Sequence, residues 1–528
     1  MPSSEPVRET VNAASIVLTT LNAKYIHASL GLRYLLANMA RHGSEALRQQ
    51  TVLREFTIHR PVSQIVDELL ALNPRVIGLG VYIWNVTQST EVVRLIKARR
   101  PDIRVVLGGP EVSHEWDQQA IVALADHVIT GWGDVSFPKL CHALLHGPQP
   151  LMKVIAGEQP PLADIALPYD AYSDDDLLHR VLYVEASRGC PFKCEFCLSS
   201  LDKTAWAFEL DDFLQTLERL YQRGARQFKF VDRTFNLKIE ASVRILEFFL
   251  DRLTDGLFVH FELIPDHLPQ RLQDLIAQFP PGVLQFEVGI QSFNEEVQQR
   301  ISRRQDNAQT QDNLQWLVSH SQAHLHTDLI FGLPGESWAS FAAGFDRLHA
   351  LGPHEIQLGL LKRLRGTPIA RHTQAHGMVY DSEPPYSVQQ TGVLSAEEVQ
   401  AFTRLARYWD LVANAGRFSA SMALLMQGPS AFAAFSDFSQ WLWTRTGQTR
   451  DLSPEQLVDA VYDYFTEVRG LSPEVARAHL LADYLASGAR GSPQRLREWL
   501  PVREAPKARS TRSLATRQDR HTGSKIDT

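Results

Sequence analysis

The sequence predicts an α/β protein: an N-terminal doubly wound parallel sheet, a central partial (β/α)6 barrel and a small C-terminal helical domain. Two observations carry the α/β part. Short apolar strands alternate with helical stretches in two successive series, separated by a segment rich in Pro, Asp and Gly. Alternation of this kind implies parallel strands with helices on both faces. The third observation is that the alternation stops after residue 382, beyond which only helical spacing continues.

In the first domain, residues 1–150, residues 15–20 (SIVLTT) form a strand and 29–42 a helix through Leu30, Tyr34, Leu35 and Met39. A strand at 51–58 precedes a helix at 61–72 with Pro61 in its first turn. The strand 76–81 (VIGLGV) is of the buried type, and 91–98 belongs to the next helix. Strands 104–107 and 128–130 end in Gly108–Gly109–Pro110 and Gly131–Trp132–Gly133. Ligands of such sheets bind beyond the C-terminal strand ends, so Gly108, Gly109, Gly131 and Gly133 are candidate binding positions. Residues 151–176 read as a linker. The second domain, 177–380, has strands at 181–185, 227–231, 259–263, 285–289, 326–330 and 355–360 with helices such as 210–223 and 241–253. Six βα units make about three quarters of an eight-unit barrel, with active groups at the strand C-termini. Helices at 395–415 and 454–468 define the third domain, 381–500. Residues 501–528 are basic, nearly free of apolar side chains and expected to be disordered.

Composition narrows the class. The net charge of −7 offers no global field for nucleic acid. No apolar run approaches the roughly 20 residues of a membrane span, and no signal peptide is read at the N-terminus. The expected location is cytoplasmic, with no membrane or nucleic-acid partner. Of four cysteines, three fall within eight residues, which points to metal or redox chemistry. Cys141 reads as a buried small hydrophobe.

The cysteine segment, 186–200, is ASRGCPFKCEFCLSS. Thiolates suit iron–sulfur clusters or zinc. A four-iron cluster usually takes four cysteines. Cys190, Cys194 and Cys197, with no fourth nearby, leave one iron open to another ligand. The alternatives are a zinc site whose histidine comes from afar, since none lies between Arg180 and Val259, or three unrelated thiols.

At these residues the chain resembles the radical S-adenosylmethionine (SAM) enzymes: Cys-x3-Cys-x2-Cys with aromatic Phe196 before the last cysteine. The segments 230–236 (FVDRTFN), 287–293 (EVGIQSF), 328–336 (DLIFGLPGE) and 358–368 (LGLLKRLRGTP) resemble further motifs of that family, in order. The resemblance implies that SAM chelates the open iron and that an electron from the cluster cleaves its sulfonium bond, giving methionine and a 5′-deoxyadenosyl radical. It implies an electron donor such as flavodoxin or ferredoxin and a small-molecule substrate. It also assigns residues. Asp232 would accept from the SAM ammonium, a solvated loop acid being the alternative. Glu262 would face the ribose, a paired barrel acid being the alternative. Gln291 would orient SAM or substrate, Gly332 and Gly335 would admit the adenine, and Glu336 would complete the SAM pocket.

The first domain, placed before such a core, resembles the cobalamin-binding domain of cobalamin-dependent radical SAM proteins, and 21–31 (LNAKYIHASLG) resembles the first loop of one subgroup. The Asp-x-His-x-x-Gly ligand motif is absent, so His27 is not expected on cobalt. The resemblance implies a 4Fe–4S cluster, SAM and cobalamin as cofactors, and methyl transfer to an unactivated carbon as the reaction. A radical rearrangement or oxidation without methyl transfer, or a non-catalytic cobalamin sensor, are the competing readings.

Overall fold

The computed structural model describes residues 14–202, 204–489 and 491–501. The basic tail therefore lies outside the described residues. Six strands form the first sheet: β1 (Ile16–Asn22), β2 (Thr51–Thr57), β3 (Val76–Gly80), β4 (Arg104–Gly108), β5 (His127–Thr130) and β6 (Val154–Ala156). Their order is β2-β1-β3-β4-β5-β6, and every pairing is parallel. Val17, Ile77 and Val105 pack with helices on one face, whereas Leu18, Val76 and Val106 meet Met39 and Phe137 on the other. That two-sided burial is why β1 is buried at all seven positions. Five strands were expected. The sixth lies in the segment read as linker, because three residues between prolines carry no period to detect.

The second sheet comprises β7 (Leu182–Val184), then, after the hairpin β8 (Ser187–Gly189) and β9 (Ala205–Ala207), strands β10 (Gln227–Phe230), β11 (Phe258–Leu263), β12 (Leu284–Gln291), β13 (His324–Phe331) and β14 (Glu355–Leu360). The order runs in sequence from β7 to β14 and the strands are parallel, as six βα units require. In β12, Phe286, Val288 and Ile290 turn outward into the apolar core. The alternate residues Glu287, Gly289 and Gln291 turn into the concave interior. The barrel's inside is thus polar by strand alternation.

A short antiparallel pair, β15 (Val379–Tyr380) and β16 (Val388–Gln390), precedes the helices Ala396–Val412, Ser419–Leu425, Ala431–Thr446, Pro454–Asp463 and Pro473–Ala486. The strand β16 falls where only helices were expected. Ser395 opens the first helix with a reciprocal capping box to Glu398. These helices share the barrel's core: Phe402 stacks on Phe331 with centroids 3.9 Å apart, and Trp409 Nε1 donates to the Ile356 carbonyl at 2.8 Å.

The first domain is tied to the barrel by a buried ion network. Arg33 contacts Glu55 at 2.9 Å and Asp176 at 2.7 Å, and Arg180 contacts the same two acids at 3.0 and 3.3 Å. A second clamp joins Arg365 to Glu111 at 2.9 Å, with Tyr386 donating to the same carboxylate at 2.6 Å.

Candidate cofactor sites

The hairpin β8–β9 closes the base of the cysteine loop. Gly189 has φ of +94°, and a Cβ there would strike the Thr204 carbonyl, so this turn into Cys190 demands glycine. Cys190, Cys194 and Cys197 then line one cavity of about 220 Å³ at the C-terminal ends of the barrel strands. Burial pushes the Cys190 thiol up to about 11 and raises that of Cys194, against which the Arg303 guanidinium stands 3.6 Å from the sulfur. Coordination to a cationic cluster reverses that balance, because a bound metal deprotonates a thiol outright. Among the described residues no three His, Cys, Asp or Glu side chains gather around a single ion position. Three thiolates on separate corners of a four-iron cluster need no such convergence, whereas a zinc ion does. The donor set fits the cluster.

The opposite wall of the cavity is charged. Arg233 donates to both oxygens of Glu262, at 2.8 and 2.9 Å. Glu262 is therefore a paired acid that nonetheless faces the cavity. Burial opposes ionisation of Glu287, but the His260 contact at 3.2 Å and Lys229 at 3.7 Å prevail and hold it below the usual carboxylate range. Burial, then Glu287 and Glu262, push Asp328 well above that range. The two carboxyls are thus shifted in opposite directions. Gln291 lines the same cavity at φ +69°, where a bulge shifts the β12–β13 register. A non-glycine residue in that region is strained, and such strain clusters at ligand sites.

Other expected residues are placed elsewhere. Asp232 is 3% exposed and is not among the described residues of the cavity wall. Its carboxylate accepts from Ala186 N at 3.0 Å and from Ser187 N and Oγ, each at 2.6 Å. It clamps the entry to the cysteine loop. Glu336 is likewise buried off the cavity wall. It accepts from Ser292 Oγ at 2.5 Å, and its Oε2 has no hydrogen-bond partner. Gly332 and Gly335 adopt φ of +87° and +74°, but their backbones press on Val388 and Arg300, each 2.6 Å from a Cβ placed there. Arg233 sat unnoticed inside a quoted motif, and Arg303 had no sequence signal at all.

A groove of about 270 Å³ lies at the strand ends of the first sheet. Gly108, Gly109, Gly131 and Gly133 all line it, joined by Gly78 and Gly80 of β3. Gly131, at φ +72°, has no atom within 4 Å of where a Cβ would stand, so its backbone is open to a ligand. Alternate glycines in VIGLGV were the missed signal. His27 is not among the groove's described residues. Its Nδ1 lies 2.7 Å from Tyr183 Oη, and its backbone bridges to Val181 at the edge of β7. Between groove and cysteine loop stands Arg188, on β8. It donates to Glu185 at 2.8 Å and to Asp134 at 2.9 Å, lies over the rings of Tyr34 and Trp132, and walls the groove.

Residues 184–348 match the radical SAM superfamily, residues 16–141 match the B12 binding domain, and residues 374–526 match a protein family of unknown function, DUF4080. The chain thus carries a region matching the radical SAM superfamily behind one matching the B12 binding domain. Its cofactor set is the one expected from the sequence: a 4Fe–4S cluster, SAM and cobalamin. The chain is 24% identical over 341 residues to the cobalamin-dependent radical SAM methyltransferase TokK of Streptomyces tokunonensis, covering 57% of this chain and 49% of that protein. It spans about half the length of the curated relatives it matches first. Its fold resembles the radical SAM methyltransferase TsrM of Kitasatospora setae (TM-score 0.56, 16% identity, 70% of this chain and 79% of that one). It also resembles the cobalamin-dependent SAM radical enzyme OxsB (TM-score 0.58, 13% identity, 90% and 79%). Among the described residues no helix is long and apolar enough to cross a membrane.

Proposed function

We propose that this chain catalyses cobalamin-dependent methyl transfer to an unactivated carbon of a small molecule, with an external protein supplying electrons. One observation carries the reading: the β8–β9 hairpin that closes the cysteine loop also walls the glycine-lined groove, through Arg188. Two cofactor sites that share one hairpin, with the half-buried Arg188 on the groove side and the cysteines on the other, would act on a shared substrate. When bound, the cluster and SAM supply a hydrogen-abstracting radical, and cobalamin supplies a methyl carrier. The chain's own part is to hold and orient. Cys190, Cys194 and Cys197 hold the cluster, and the glycines of β3, β4 and β5 admit the flat face or tail of the corrinoid. The Arg233–Glu262 pair and Gln291 line the cavity where SAM would lie.

The test is product analysis after anaerobic reconstitution with iron, sulfide, cobalamin and SAM, over a panel of small metabolites. Methyl transfer predicts S-adenosylhomocysteine and 5′-deoxyadenosine in step with a methylated product. 5′-Deoxyadenosine without S-adenosylhomocysteine would replace methyl transfer with a rearrangement or oxidation.

A further inference from the structure

Residues 363–372, which follow β14, are tied at both ends. The first end holds the loop after β4, in the N-terminal domain. Glu115 in that loop collects four donors: Arg363 at 3.1 and 3.3 Å, Arg365 at 3.3 Å and the Gly366 N–H at 3.2 Å. Arg365 also donates to Glu111 at 2.9 Å. Glu115 sits at φ +48°, a left-handed conformation that persists only where surrounding contacts enforce it. A Cβ on Gly366 would strike the His114 ring, so glycine is what lets the two segments lie together. The same loop reaches the groove. Ser113 Oγ donates to the Gly109 carbonyl at 2.9 Å and accepts from the Gly131 N–H at 3.0 Å, and both glycines line the groove. The second end holds the cysteine loop at Glu195, next to Cys194. The Ile369 N–H donates to the Glu195 carbonyl at 3.0 Å. His372 Nε2 lies 2.8 Å from the Glu195 carboxylate, which Arg371 also contacts. The Glu195 side chain is 3% exposed, so this attachment is buried.

We propose that residues 363–372 are a positioning strap that couples the cobalamin groove to the cysteine loop, so that filling either site tightens the other. The proposal rests on the cofactor reading given above and adds a route separate from the β8–β9 hairpin. Arg363 and Arg365 act through Glu111 and Glu115. Among the described residues neither arginine lines the groove or the cysteine cavity. Order imposed on Gly109 and Gly131 by a corrinoid passes to Ser113 and Glu115, then along the strap to Glu195. The entropy of ordering this chain of contacts is lost once, on arrival of whichever cofactor binds first. Such coupling is reciprocal, so one factor describes both directions.

The test titrates hydroxocobalamin into the full chain anaerobically, with and without the reconstituted cluster, and reads free ligand after equilibrium dialysis. Cluster loading is expected to tighten cobalamin about fivefold, a coupling of ordinary size. Glu115→Ala and Arg363→Gln cut the groove end of the strap, and His372→Ala cuts the cysteine end. Each is expected to bring the factor below about twofold while circular dichroism and iron content hold. Arg60→Gln, which breaks an exposed ion pair within the first domain, should keep the full factor. Hydrogen exchange on the cluster-free chain should slow about fivefold at residues 194–198 when cobalamin is added, in the wild type and Arg60→Gln only. An equal factor in the wild type and the three strap variants overturns the strap and leaves the hairpin as the route. A wild-type factor near one overturns it as well. A chain that retains no cobalamin, with or without the cluster, overturns the cofactor reading and the strap with it.

Discussion

Glu336 and Asp232 are buried carboxyls held by hydroxyl and backbone donors of the chain itself. Burial pushes Glu336 up to about 7, and only the hydroxyls of Ser292 and Ser340 oppose it. In the folded chain this carboxyl holds a proton that the unfolded chain releases near pH 4.5. Raising the pH between about 4.5 and 7 therefore favours the unfolded state, by up to about 3 kcal/mol. Glu336→Gln is expected to remove that part of the decline in denaturation curves across the range, and to leave SAM affinity within about twofold. Asp232→Ala strips two backbone N–H groups and one hydroxyl of their acceptor. Each orphaned buried group costs about 1–3 kcal/mol. The expected outcome is loss of iron and sulfide, with the fraction that keeps its cluster still binding SAM normally in equilibrium titrations.

Among the elements, the β8–β9 hairpin decides whether the thiols meet. Gly189→Ala forces a Cβ into the Thr204 carbonyl and strains a positive φ, a cost of order 1–3 kcal/mol. Iron bound per chain should fall by more than half while far-UV circular dichroism is unchanged; full iron content would show that the hairpin is dispensable. The hairpin also marks where sequence reading stops. Long strands such as β12 and β13, with eight residues each, announce themselves by composition and spacing. The cysteines, the glycines after β4 and β5, and the six βα units were legible for the same local reason. Three-residue strands such as β6, β8 and β9 are made by their partners, not by their own pattern. Side-chain direction was illegible too: Asp232, one position before Arg233, turns toward the loop backbone whereas Arg233 turns into the cavity.

For the molecule as a whole, the two sheets are held together by charges taken out of water. The Arg33 side chain is 2% exposed, and its acids Glu55 and Asp176 are 5% and 8% exposed. Removing Arg33 leaves Glu55 and Asp176 to Arg180 alone, a loss that stays below the roughly 3–5 kcal/mol of a fully broken buried pair. Arg33→Met is expected to split thermal unfolding into two calorimetric transitions, with the N-terminal sheet released first. A single transition at the wild-type temperature would show that the Arg365–Glu111 clamp suffices alone. The helices after residue 394 should not separate in this way, because Phe402 and Trp409 belong to the barrel's own core.

The backbone bridge between His27 and Val181 has a consequence for biosynthesis. An unclosed barrel leaves the outer side of β7 with hydrogen-bonding groups that invite a foreign strand. Here the loop before the first helix takes part of that side, Val181 N donating to the Ile26 carbonyl at 3.0 Å. That loop leaves the ribosome about 150 residues before its client strand. The nascent chain thus carries its own guard ahead of the hazard, and a gene fragment beginning at the barrel would be translated without one.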